Sequence, residues 1–171
     1  MIAKARDVKR YKQKKLSSLT RGIYSTPEED LFDVYLYKYK TGVITLETAL
    51  SFYDLIDEWI ETPYCFSFQT GYRKIHDSNI RQFRDKKEIA NLGVITLKRH
   101  NTTINIYSKE RLLIELWRKE KYISRDIYKQ AIYNYRNLAN SGELNIPLIK
   151  QYLSIIPKSN IYKKRLSMEV L

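Results

Sequence analysis

Between residues 94 and 117 the apolar period of this chain switches from that of a strand to that of a helix, and no other feature constrains its fold as much. Val94-Ile95-Thr96-Leu97 and Thr103-Ile104-Asn105-Ile106-Tyr107 flank Arg99-His100-Asn101, which predicts a β-hairpin. Ser108 follows at once as a helix N-cap, with Glu110 and Arg111 in the first turn and Leu112, Leu113, Leu116 and Trp117 at core spacing. From Ser124 onward the periodicity is helical. Ser124 and Asp126 open one helix carrying Ile127, Ala131, Ile132, Tyr135 and Leu138, and Ser141-Gly142 stops it. Leu148, Ile149, Tyr152 and Leu153 mark a second helix that Pro157 ends, and Ile161, Leu166 and Val170 mark a third. Strands in the centre and helices after them predict an α+β chain with a helical C-terminal third.

Upstream of the hairpin the chain predicts further short strands. Tyr64, Phe66 and Phe68 alternate with Cys65, Ser67 and Gln69 after Thr62-Pro63, and Gly71 ends that strand. Residues 80–83 predict another. A helix is expected near 30–40, with Glu28, Glu29 and Asp30 at its N-terminus and Leu31, Val34, Tyr35 and Tyr39 along one face. Thr41-Gly42 breaks it, and Val43, Ile44 and Thr45 are expected to form a short strand or an extended entry. Thr45 then N-caps a second helix, with Glu47 and Thr48 in its first turn and Ala49, Leu50, Tyr53 and Leu55 running toward Asp57.

The N-terminus differs in character. Lys4, Arg6, Lys9, Arg10, Lys12, Lys14, Lys15 and Arg21 face only Asp7 before residue 24, and together they supply over half of the chain's net charge of +12. Residues 1–15 read as a short basic helix without an apolar stripe, and residues 16–24 as a hairpin ended by Pro27. Such a segment favours phosphate contacts, and a Lys- and Tyr-rich composition shared by the whole chain is the competing explanation of the charge. A second cluster, Lys158, Lys163, Lys164 and Arg165, lies near the C-terminus.

Catalytic chemistry finds little footing. Cys65 is the sole cysteine, so an internal disulfide and a thiolate metal cluster are excluded. Its position mid-strand suits a small buried hydrophobe better than a nucleophile. His76 and His100 have no metal-ligand spacing, and neither GxxxxGK[ST] nor GxGxxG occurs. Asp54, Asp57, Glu58 and Glu61 read as a solvated helix end. The nearest approach to a metal-dependent nuclease is Glu88, ahead of the strand that ends in Lys98. The tyrosine clusters Tyr35, Tyr37, Tyr39 and Tyr128, Tyr133, Tyr135 suit core and rim packing better than base stacking. No apolar run approaches a membrane span, and the basic start has no apolar h-region, so a cytoplasmic chain with no membrane partner is expected.

In order, RGIYSTP, GVITLETALSFYDLID, TPYCFSFQTGYR, INIYSKERLLIELWR and the C-terminal run ending SMEVL resemble the AbiEi-type antitoxins of bacterial abortive-infection toxin–antitoxin systems. The resemblance covers roughly residues 19–170. It implies that Arg21, Gly22, Ile23, Tyr24 and Pro27 close the wing of a winged helix, and that Thr45, Glu47, Ala49, Leu50 and Leu55 open the antitoxin domain. Tyr107, Glu110, Arg111 and Leu113 match a further motif of that family, with Glu115 where the family carries Asp. Only about twenty residues precede Tyr24, against on the order of fifty for a full winged helix, so a truncated remnant is expected: a basic helix plus wing hairpin over 1–27, then a mixed α/β antitoxin domain over 28–171.

The resemblance implies an antitoxin that counteracts a nucleotidyltransferase-like toxin and represses its own operon. No enzyme activity, catalytic residue, metal or cofactor is expected. Lys9, Arg10, Lys12, Lys14, Lys15 and Arg21 are the candidate nucleic-acid-binding residues, with DNA as the second partner. Two other classes stay open: a stand-alone nucleic-acid-binding transcriptional regulator and a diverged metal-dependent nuclease.

Overall fold

A computed structural model describes residues 2–4, 17–20, 23–25, 30–58, 63–99 and 102–171. Lys9, Arg10, Lys12, Lys14, Lys15 and Arg21 lie outside the described residues, as do Pro27, Glu28, Glu29, Glu61 and His100.

The N-terminal region contains a three-stranded antiparallel sheet of β1 (Ile2–Lys4), β2 (Ser17–Thr20) and β3 (Ile23–Ser25), in the order β1-β3-β2. The expected hairpin is there as β2 and β3. The expected helix is not, where the chain is described: Ile2 to Lys4 are extended and pair with Ser25 to Ile23. Three residues ahead of a cation run carry no periodicity that separates helix from strand, and a partner strand satisfies their backbone groups directly.

The rest of the described chain is α+β, with a mixed five-stranded sheet in the order β6-β5-β4-β8-β7. The strands are β4 (Val43–Ile44), β5 (Tyr64–Gln69), β6 (Ile80–Asp85), β7 (Val94–Arg99) and β8 (Thr102–Tyr107). β4 pairs antiparallel with β5 and parallel with β8; β5 and β6 are parallel; β7 and β8 form the expected hairpin. One face is covered by α1 (Leu31–Lys38), whose N-cap Asp30 accepts a hydrogen bond from the Phe32 amide. Phe32, Tyr35 and Tyr39 pack there on Tyr64, Phe66 and Phe68. Leu31, expected on the apolar face, is instead 40% exposed, and Phe32 occupies the core.

The other face meets α2 (Leu46–Phe52) and α4 (Lys109–Arg118). β5 is therefore buried on both sides, Cys65 and Ser67 included, although its alternating pattern reads as half-exposed. A short α3 (Lys87–Ala90) links β6 to β7. Beyond α4 come a 3-10 turn (Glu120–Tyr122), α5 (Arg125–Asn140), α6 (Ile146–Ile155), α7 (Ser159–Arg165) and a π turn (Leu166–Val170). α6 packs on α4, and the π turn packs on α5. Enclosed between sheet and helices, α4 buries seven consecutive residues from Arg111 to Trp117. Leu166 and Val170 sit in the core as expected, whereas Ile161 is 57% exposed.

α2 is shorter than expected and stops at Phe52. Asp54 turns left-handed at φ 54°, the Leu55 amide bonds back to the Leu50 carbonyl, and the Asp54 amide bonds to that of Ser51. This Schellman closure lets Leu55 and Ile56 re-enter the core in a new direction. Asp54, Asp57 and Glu58 are exposed, as expected, but on turns and bends and not on a helix end.

Candidate functional site

The motif residues Tyr107, Arg111 and Glu115 converge in the interior. Ser108 caps α4 by accepting from the Arg111 amide at 3.3 Å, and one turn later Glu115 returns to the same face of the helix. Arg111 is fully buried and donates through Nη1 to Glu115 Oε1 at 2.6 Å and through Nη2 to the Ile89 carbonyl at 3.3 Å. Its guanidinium lies over the Tyr107 ring, 4.6 Å from the centroid. The Tyr107 hydroxyl donates to the Ala90 carbonyl and shares a hydrogen bond with Ser67 Oγ, each at 3.1 Å. Burial pushes that phenol up to about 12, with Arg111 acting in the opposite sense. Gly93 permits the approach: a Cβ there would stand 2.5 Å from Arg111 Cβ, and its φ is +68°.

The charges continue outward as a ladder. Arg118 also binds Glu115 Oε1, and its Nη2 meets Asp85 Oδ1 at 2.5 Å. Lys119 reaches Asp85 Oδ2 at 3.7 Å. Burial works against the Arg118 charge, but Glu115 and Asp85 outweigh it and hold its pKa above the ordinary value. The ladder ties β6 to α4, and Arg111 bridges α4 to α3. A guanidinium enclosed in this way braces the fold and has no access to an outside ligand.

Glu47, from the other motif, anchors a second network. Its Oε1 accepts from Arg81 at 2.9 Å and its Oε2 accepts from Cys65 Sγ at 3.3 Å. Thr48 Oγ1 accepts from the Cys65 amide at 2.9 Å, so the start of α2 is stapled to β5. Burial, followed by the nearby Glu47 carboxylate, pushes the Cys65 thiol well up. Thr45 stands at the N-cap as expected, yet its buried hydroxyl makes no capping bond.

Both networks lead to the 3-10 turn after α4. Arg81 donates to the Tyr122 carbonyl at 2.9 Å, and Phe83 meets the Tyr122 ring edge-on. On the other side, Arg165 pairs with Glu120 at 2.7 Å. Between this turn and the start of α5 opens a cleft of about 700 Å³ lined by Glu120, Lys121, Ile123, Arg125, Tyr128 and Lys129. Lys121, Arg125 and Lys129 are exposed and pair with no carboxylate in the described structure. None of the residues expected to bind nucleic acid lines this cleft, although a cation at every fourth position from Lys121 to Lys129 is a signal in the sequence.

The residues weighed for metal chemistry do not come together. Glu88 is exposed on α3 and not at a strand end. Among the described residues no group of His, Cys, Asp and Glu could hold a metal ion, and no helix is long and apolar enough to cross a membrane. Tyr35, Tyr39 and Tyr135 are buried, whereas Tyr133 is 62% exposed. No protein-family model matches the chain, and no curated protein matches it.

Proposed function

We propose that the chain is an AbiEi-type antitoxin that counteracts a nucleotidyltransferase-like toxin in the cytoplasm. One observation carries this reading: the two internal motifs of the resemblance, some sixty residues apart, form one core. α2 packs on β5 and on α4, α4 packs on β8, and the Tyr53 hydroxyl at the end of α2 donates to the Tyr107 carbonyl at the end of β8 at 2.8 Å. Glu115, the departure from the motif, keeps both Arg111 and Arg118, so the longer carboxylate meets the same charge requirement. The motif residues thus act as a frame, and neutralisation falls to the surface that this frame presents. Co-expression with a nucleotidyltransferase-like protein encoded beside it is expected to restore growth that the toxin alone arrests. Continued arrest with both proteins expressed overturns the reading.

A second reading, a stand-alone nucleic-acid-binding regulator, is favoured by the antiparallel pairing of β2 with β3, which agrees with the hairpin expected over residues 16–24. It expects steeply salt-dependent DNA binding that Lys12→Ala, Lys14→Ala, Lys15→Ala and Arg21→Ala together abolish. Binding that survives in that variant excludes it.

A further inference from the structure

The cleft between the 3-10 turn and α5 combines three properties that neither reading above uses. Its charge is one-sided: Lys121, Arg125 and Lys129 line it, Lys121 with its ammonium 4.8 Å from the centroid of the Tyr122 ring, while the single lining carboxylate, Glu120, is bound by Arg165. Asp126, the acid of the first turn of α5, does not line it. Arg125 and Lys129 are one turn apart at the N-terminal end of a 16-residue helix, where the backbone dipole already favours anions and penalises cations. Their positive charge there serves no partner within the described fold.

The walls are held in place. The Tyr128 hydroxyl donates to Glu169 Oε2 at 2.5 Å, which fixes the ring that lines the cleft. Ile123 packs against the Leu46, Cys65 and Phe83 cluster, and Arg81 holds the carbonyl of Tyr122. A rigid apolar wall beside a cationic rim suits a ligand with a flat ring at one end and anionic oxygens at the other. A volume of about 700 Å³ lies within the range of small-ligand sites.

We propose that this cleft binds the phosphates of a nucleotide, with Lys121, Arg125 and Lys129 as the phosphate contacts and Tyr128 and Ile123 as the wall for the base. A free nucleoside triphosphate and the phosphates of a single-stranded nucleic acid share this chemistry. The lining residues include none of the basic N-terminal residues, and the site does not depend on the antitoxin reading, because it is tested on the purified full-length chain without a toxin.

The test is fluorescence anisotropy at physiological salt with two probes, fluorophore-labelled ATP and a labelled short single-stranded oligonucleotide. Binding of at least one probe is expected, and inorganic phosphate should compete. The variant Lys121→Gln/Arg125→Gln/Lys129→Gln, whose side chains are exposed, is expected to weaken binding about tenfold or more. The variant Lys158→Gln/Lys163→Gln/Lys164→Gln removes equal charge elsewhere on exposed positions and is expected to bind within about twofold of the parent. Binding of labelled ATP alone identifies a free nucleotide; binding of the strand alone identifies nucleic-acid phosphates. The proposal is overturned if neither probe binds, if the cleft variant binds like the parent, or if both variants lose affinity equally.

Discussion

Arg111 holds a full charge where no solvent reaches it, and its environment explains how. Glu115 supplies the counter-charge, the Ile89 carbonyl an acceptor and the Tyr107 ring an electron-rich face. Removing the cation would leave Glu115, which is 1% exposed, with only Arg118 of its two ion-pair partners, and would take the guanidinium donor from the Ile89 carbonyl. Arg111→Met is therefore expected to destabilise the protein by about 3–5 kcal/mol in urea unfolding, and Arg111→Lys to rescue little, because a single ammonium cannot replace the planar fork. A loss under about 1 kcal/mol would contradict this picture of the buried pair. Cys65 makes the opposite point. Burial and the Glu47 carboxylate keep it a neutral thiol at physiological pH. Alkylation by iodoacetamide should be far slower in the native protein than in urea; equal rates would refute the burial argument.

At the scale of elements, helix ends and one anchor decide the architecture. α5 closes on Gly142 at φ +76°, with the Glu143 amide bonded to the Leu138 carbonyl. α2 closes by the same bond pattern on Asp54, a residue with a Cβ in left-handed backbone. Asp54 is exposed, so Asp54→Gly should stabilise the protein by about 0.5–1 kcal/mol, read as a higher urea midpoint at unchanged m-value. A lower midpoint would mean that the Asp54 side chain contributes something the backbone closure does not reveal. The C-terminal helices depend on Glu169, whose carboxylate accepts from Trp117 Nε1 at 3.0 Å and Tyr128 at 2.5 Å and pairs with Arg165 at 3.3 Å. Glu169→Ala should loosen residues 159–171, seen as faster amide exchange there while α4 stays protected. Uniform exchange across both segments would show that this end unfolds only with the whole.

At the scale of the molecule, two buried phenols and one half-buried phenol, from separate parts of the chain, link stability to alkaline pH. Burial pushes Tyr107 up to about 12; burial and then Glu110 push Tyr53 up to about 12; burial raises Tyr135 well above its ordinary 10. The fold therefore keeps protons that the unfolded chain releases from pH 10 upward. Stability is intact below pH 10 and falls as pH rises toward 12, by about 2–3 kcal/mol from Tyr107 alone. Tyr107→Phe should lower stability at pH 8 yet flatten its decline between pH 10 and 12. An equally steep decline in that variant would assign it to other groups.

What was legible in the sequence was local. The hairpin around residues 94–107, the Ser108 and Ser124 caps and the stop at Gly142 each rest on a few neighbouring residues whose chemistry dictates the backbone. The motif positions Tyr107, Arg111 and Glu115 were also visible, but an Arg and a Glu four apart on a helix read equally well as a solvated surface pair. Only tertiary structure decided that α4 is enclosed on both sides, turning that pair into a buried brace. It likewise buried the second face of β5, sent Leu55 back into the core through Asp54 and left Ile161 outside. The cleft belongs to the same class, since its walls are fixed by Arg81, Glu169 and Arg165, residues distant from its rim in the chain. The sequence determined which segments form strands and helices because those preferences are short-ranged. Which faces lose water, and which charges must then find partners, is a property of the packed whole.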